Sequence, residues 1–335
     1  MNMRSPYRVA INLEWTSKCN ALCAMCPRQN IPRPRLMTRD LFDQALARIR
    51  SDDVFRCVVA GYGEPTTHPL FEDFVEAVGE HPVNFDMVTN GQLLDARRLR
   101  SLDGRIGHVM VSFSSIDPGV YEKVHVNLDH DRVKSNILQA KKILRKTRMS
   151  ISLTPLPECL DKLPQTVKWF RDNGIDALSM SPTLYNRAGG NMDLNVDSVR
   201  LRQLIRKYRL HSQEMDFIEG PANFLKQFSR NEFKCAPRNS DLLISSTGKY
   251  LYCFNDISHS QPIGDIGTMS IRDALETRQR MAPIASLCNQ CNMNDRYRTG
   301  EIAGVAARYA IGALRSRLAR KGARTTPHEP RGSSC

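Results

Sequence analysis

No run of eighteen apolar residues occurs anywhere in the 335-residue sequence, so no segment reads as a membrane-spanning helix. Met1 to Trp15 lack the long apolar stretch of a secretory signal. There is no internal repeat and no low-complexity tract, which sets aside repeat architectures and chains of biased composition. Aromatic residues are missing from the basic stretch around Arg28, Arg33 and Arg35, so bases have nothing to stack on and no nucleic-acid partner is expected. The net charge of +13 excludes little, because residues 300–335 alone carry seven Lys/Arg against Glu301 and Glu329. What the chain does have is cysteine. Most of its ten cysteines fall in tight clusters, which suits a reducing, cytoplasmic setting and metal ligation better than disulfides.

The densest cluster is Cys19-x3-Cys23-x2-Cys26, just past an apolar strand-like stretch. Thiolates are the usual ligands of iron–sulfur clusters. Three of them on a four-iron cube leave one iron open to a substrate or cofactor. A zinc site needs a fourth ligand nearby, and none follows. With the flanking Thr16, Asn20, Pro27 and Arg28, the spacing resembles the radical S-adenosylmethionine (SAM) superfamily. That resemblance implies a [4Fe–4S] cluster whose open iron chelates SAM, release of a 5′-deoxyadenosyl radical on reduction, and a flavodoxin- or ferredoxin-type electron donor.

Strand-like and helix-like segments alternate through the first two-thirds of the chain. The strand candidates are Arg8–Leu13, Phe55–Ala60, Val83–Val88, Val109–Phe113, Met149–Leu153 and Ala177–Met180. Helical patterns cover Thr38–Arg50, Leu70–Gly79, Ala96–Leu102, Arg132–Lys146 and Leu163–Asn173, the first opened by a capping Thr38. Six such units predict an α/β fold, a partial (β/α)6 TIM-like barrel over residues 1–190. Residues 191–230 read as a helical connector, 231–299 as a small cysteine-bearing auxiliary-cluster module, and 300–335 as a basic amphipathic helix with a disordered tail. The first strand begins near Arg8, which leaves no room at that end for a leader-binding domain.

The chemical motifs fall at the C-terminal ends of the expected strands, where parallel α/β barrels place their active sites. Gly61-Tyr62-Gly63-Glu64-Pro65 follows the second strand, and its glycines permit close backbone approach. It resembles the family's Gly-Gly-Glu-Pro motif, which holds the SAM amino group, so Gly61, Gly63, Glu64 and Pro65 are expected around SAM. Asn90 follows the third strand, and Ser112 and Ser114 close the fourth, where the family contacts SAM. Ser114 replaces a usual Asp, His125 stands where many relatives carry Arg, and Met25 replaces an aromatic residue near the adenine.

Cys235, Cys253, Cys288 and Cys291 form a second set, spaced C-x17-C and then C-x2-C, with a hairpin-like turn at Gly248. In isolation four thiolates with a C-x-x-C half suit structural zinc. Behind the first motif, the set resembles the Twitch/SPASM-like auxiliary module, which implies a second [4Fe–4S] cluster saturated by four thiolates. Such a cluster would accept an electron rather than bind substrate. The expected reaction is therefore oxidation of a small polyhydroxylated substrate, sugar-, aminocyclitol- or glycan-like. Arg187, leaving the sixth strand, is the candidate grip on a hydroxyl or anionic group. Cys159 is either packing or a thiol that returns a hydrogen atom in an epimerisation, and Cys57 reads as core. Peptide modification and a non-catalytic iron–sulfur or RNA-binding role are the alternatives. Residues 300–323 read as a basic amphipathic helix packed on the barrel or partly disordered, with peripheral contact with an anionic membrane as the alternative.

Overall fold

Val9–Leu13, the first strand (β1), is buried along its whole length, as a continuous apolar run in mid-sheet requires. In the computed structural model the described residues are 8–31, 33–181, 198–212, 241–288, 291 and 307. The remaining strands are β2 (Leu22–Cys23), β3 (Val54–Val59), β4 (Phe85–Thr89), β5 (His108–Ser112), β6 (His125–Val126), β7 (Arg148–Leu153), β8 (Leu178–Met180), β9 (Asp241–Ile244), β10 (Lys249–Leu251) and β11 (Pro262–Asp265). The α-helices are α1 (Arg39–Arg48), α2 (Phe71–Gly79), α3 (Ala96–Leu102), α4 (Pro118–Val124), α5 (His130–Ile143), α6 (Pro157–Asp161), α7 (Leu163–Asp172), α8 (Ser198–Lys207), α9 (Ile271–Arg280) and α10 (Ala285–Cys288).

Strands β1, β3, β4, β5, β7 and β8 pair parallel in chain order, the expected six β/α units. On the other side of β1, β9 adds a parallel strand, and β10 and β11 continue antiparallel. The nine-stranded sheet runs from β11 to β8 and, among the described residues, does not close into a barrel. The fold is thus α/β with an open, partial barrel. Helices leave the sheet through side-chain caps: Thr38, Asp95, Asp117 and Asp129 each accept a first-turn N–H that would otherwise lack a partner.

An aromatic cluster sits between the sheet and α1–α2. Trp15 packs edge-on against Phe42, Phe71 and Phe74 at 6.0, 6.0 and 5.4 Å. All four are fully buried, so the chain leaving β1 is anchored one turn before the cysteine loop. The described residues within 1–216 and 235–294 form a first compact unit. Within the first, β9 to β11 extend the barrel sheet from the stretch read as a C-terminal module. The β9–β10 hairpin turns at Gly248, whose φ of +75° suits glycine.

Candidate functional site

Because the six barrel strands run parallel, the loops after them share one edge of the sheet. The cysteine loop leaves β1 there and is fixed at both ends. Thr16 donates its hydroxyl to the Arg35 carbonyl and accepts the Lys18 amide. Ser17 Oγ accepts the Arg35 amide at 2.8 Å. Cys19, Cys23 and Cys26 are unpaired, half-buried thiols. Cys23 lies on β2, which pairs antiparallel with β6 so that Cys23 stands opposite His125. Next to that pair the Ala24 amide donates to the Val124 carbonyl at 2.9 Å. Burial raises the Cys19 pKa, and burial with the neighbouring Cys19 and Cys26 pushes Cys23 up to about 12.

These residues fit a cubane. The donor set is three sulfurs on one loop. Among the described residues no three His, Cys, Asp or Glu converge on a single ion. A four-iron cluster does not require that, since each thiolate takes a different iron. Beside Cys23, the buried Tyr121 hydroxyl and His125 Nε2 have no hydrogen-bond partner, so polar capacity is left over next to the thiols. Burial lowers the His125 pKa to about 4, so the ring is neutral.

The Gly61–Pro65 loop lies directly on the cysteine loop. A Cβ on Gly63 would fall 2.2 Å from the Thr16 carbonyl oxygen and 2.3 Å from that of Lys18. A Cβ on Gly61 would meet the Glu14 side chain at 2.5 Å. The glycines therefore let two protein loops touch, whereas the sequence suggested close approach to a ligand. Glu64 donates its amide to the Lys18 carbonyl at 2.8 Å. Its buried carboxylate accepts Thr66 and Thr89 hydroxyls on Oε1 and the Asn90 amide on Oε2. Burial raises the Glu64 pKa while these donors oppose the shift. Asn90 in turn donates its side-chain amide to Asn20, inside the cysteine loop, at 2.8 Å. Pro65 opens the short buried turn that follows.

Ser112 ends β5, and Ser114 is buried two residues later, its hydroxyl without a hydrogen-bond partner. Cys159 sits on α6 after β7, packed with Met25, Val124 and Leu156, and burial pushes its pKa up to about 12. Cys57 is fully buried in β3. Arg187 and Cys235 lie outside the described residues, as does the 300–323 segment apart from Ala307. Among the described residues no helix is long and apolar enough to cross a membrane.

The other members of the second thiol set are brought together. The Asn255 side chain donates to Cys291 Sγ at 2.9 Å while its backbone amide donates to Cys253 Sγ at 3.1 Å. The Cys291 amide donates to the Cys288 carbonyl at 3.2 Å. Two residues to which the sequence reading gave no role join this set to the first loop. Tyr62 donates its hydroxyl to the Phe254 carbonyl at 2.5 Å, and its own carbonyl accepts from Arg28 at 2.9 Å. Glu14 accepts the Tyr62 amide on one oxygen and the Ser246 amide and hydroxyl on the other. Its signal was available, an acid set between Leu13 and Trp15 at the end of an apolar strand. Tyr62 stood inside the quoted motif without a role of its own, and nothing marked Asn255.

Residues 13–170 match the Radical SAM superfamily. The cysteine loop, the Gly61–Pro65 loop, Asn90 and Ser112 all fall inside that stretch, and the family brings SAM and a [4Fe–4S] cluster. Among curated proteins, the chain is 29% identical over 182 residues to the tungsten-containing aldehyde ferredoxin oxidoreductase cofactor-modifying protein of Pyrococcus furiosus, spanning about half (51%) of each. It is 22% identical over 231 residues to a probable GTP 3′,8-cyclase of Methanococcus maripaludis, covering 64% of this chain and 77% of the cyclase. Two solved structures share the fold. BtrN in complex with AdoMet and 2-DOIA has a TM-score of 0.51 and 18% identity, over 85% of this chain and 93% of BtrN. The anSMEcpe structure with bound AdoMet has a TM-score of 0.61 and 14% identity, over 94% of this chain and 96% of that one.

Proposed function

We propose that the chain is a radical SAM oxidoreductase acting on a small polyhydroxylated substrate, with an auxiliary [4Fe–4S] cluster as electron acceptor. Cys19, Cys23 and Cys26 hold the SAM-binding cluster, and Cys253, Cys288 and Cys291 with Cys235 hold the second. When bound, SAM and its cluster supply a 5′-deoxyadenosyl radical that takes one hydrogen atom from an alcohol carbon. Turning that alcohol into a carbonyl also releases the hydroxyl proton to water and one electron, and a cluster held by the second thiol set would supply the acceptor for that electron. The loop carrying Gly61, Gly63, Glu64 and Pro65, with Asn90, Ser112 and Ser114, forms the SAM-side wall, and Arg187 grips the substrate. A flavodoxin- or ferredoxin-type protein supplies the first electron in the cytoplasm.

The observation that carries this reading is the Tyr62–Phe254 hydrogen bond. It ties the motif loop beside the first thiol set to the residue next to Cys253, which supports an acceptor on the second thiol set within reach of a substrate radical. Fully ligated clusters serve as such sinks because charge, hydrogen bonding and exposure tune their potentials. The test is anaerobic turnover of the iron-reconstituted protein with C-deuterated polyols. Deuterium should appear in 5′-deoxyadenosine, and unlabelled 5′-deoxyadenosine throughout a polyol panel would remove this substrate class.

An epimerase is the second reading, favoured by Cys159. Its pKa, pushed up to about 12 by burial, keeps it as the S–H form that can return a hydrogen atom, the thiyl radical left behind regaining a proton from water and an electron from the flavodoxin- or ferredoxin-type donor. Solvent deuterium in a product of unchanged oxidation state, lost in Cys159→Ala, would select it.

A further inference from the structure

The Cys23 sulfur lies 3.3 Å from His125 Nδ1, across the two-residue ladder of β2 and β6. We infer that His125 is a positioning residue that donates a hydrogen bond from Nδ1 to the Cys23 thiolate and thereby raises the reduction potential of the SAM-binding cluster. The inference rests on the cluster assignment at Cys19, Cys23 and Cys26.

Three observations support it independently of that spacing. Backbone keeps the two residues side by side, through the Cys23–His125 pairing and the Ala24 amide on the Val124 carbonyl. The ring itself is 1% exposed and packs on Tyr121 with ring centroids 4.8 Å apart. Finally, Nε2 has no partner. A cluster-bound thiolate can only accept, so the ring must place its proton on Nδ1 to make the bond. With Nε2 unengaged, no other hydrogen bond is lost by adopting that tautomer. In a dry environment an N–H directed at sulfur favours the form carrying more negative charge, which is the reduced cluster. A reduced cluster is what SAM cleavage consumes.

The experiment is a potentiometric titration of the full reconstituted chain, followed through the reduced-cluster electron-paramagnetic-resonance signal that SAM perturbs. Wild type, His125→Leu and His125→Asn are compared, the asparagine Nδ2 taking the place of Nδ1. At the wild-type midpoint, His125→Leu should show a reduced-to-oxidised ratio about tenfold lower, a shift of about 59 mV for one electron. His125→Asn should restore most of it. Equal midpoints in three proteins of full iron content overturn the inference. Failure of wild type to give iron, sulfide and a SAM-perturbed signal overturns the cluster assignment instead, so the two failures are distinguishable. Should His125→Leu not load iron, wild type labelled with 15N-histidine decides the matter. A nitrogen coupling to the reduced cluster that vanishes in His125→Asn is expected, and its absence from wild type overturns the hydrogen bond.

Discussion

Gly63 shows how one missing methyl group sets the geometry of the site. Its neighbours, the Thr16 and Lys18 carbonyls, are backbone and cannot rotate away from a Cβ placed 2.2 to 2.3 Å off. Gly63→Ala should therefore pry the two loops apart, lower unfolding free energy by about 1–3 kcal/mol and release iron from the first thiol set. Denaturant titration and iron analysis of the variant check this. A second residue-level outcome concerns pH. His68 Nε2 lies 3.0 Å from the Met37 carbonyl, and Nδ1 accepts the Leu70 amide at 3.1 Å. That pattern requires the neutral ring protonated on Nε2, and burial lowers the His68 pKa below 6.5, with the Met37 bond opposing. As pH falls, the unfolded chain takes up this proton before the folded one. The His68 contribution is thus complete above the unfolded pKa and is lost as pH falls towards the folded value. Unfolding free energy measured from pH 7.5 downward should decline, and His68→Leu should be less stable at pH 7.5 with a shallower decline.

At the scale of elements, the loop between Cys253 and β11 depends on Asp256. Its carboxylate accepts the Ser260 amide and hydroxyl and the Gln261 amide at 2.7 to 2.9 Å, and it is fully buried. Asp256→Ala strands those donors, so a loss of about 3 kcal/mol and faster iron release from the second thiol set are expected, read by thermal unfolding and iron-chelation kinetics. Strands and helices of the barrel were legible because their periodicity and caps are local. Thr38 caps α1 as its position indicated, and the Gly248 turn lies where the hairpin was expected. Misplaced ends have local causes too. β4 starts at Phe85, after Val83, because His81 Nδ1 takes the Val83 amide and keeps that segment turned. α5 starts at His130, before Arg132, because Asp129 is the cap. The β2–β6 ladder was not legible, since two residues per strand carry no periodicity and only the tertiary pairing makes them strands. The same holds for Tyr62, whose role depends on a carbonyl 192 positions away.

For the whole molecule, the decisive fact is that β9 occupies the edge of β1 left open by the parallel barrel. Glu14 then clamps the end of β1 to Ser246 on one oxygen and to Tyr62 on the other, so the C-terminal hairpin and the motif loop cannot move independently. An electron acceptor built on the second thiol set would therefore keep a constant separation from the first, which is what rapid one-electron transfer after hydrogen abstraction needs. If both sets hold cubanes, the reconstituted chain should contain about eight iron atoms, and Cys288→Ala with Cys291→Ala about four. That double variant should still cleave SAM under dithionite, because the first loop and its Gly61–Pro65 lid of backbone are untouched. It should not release oxidised product, because the substrate radical has nowhere to send its electron. Elemental analysis paired with product chromatography reads both halves. About four iron atoms with one zinc in the wild type would instead make the second set structural and move the electron's destination off this chain.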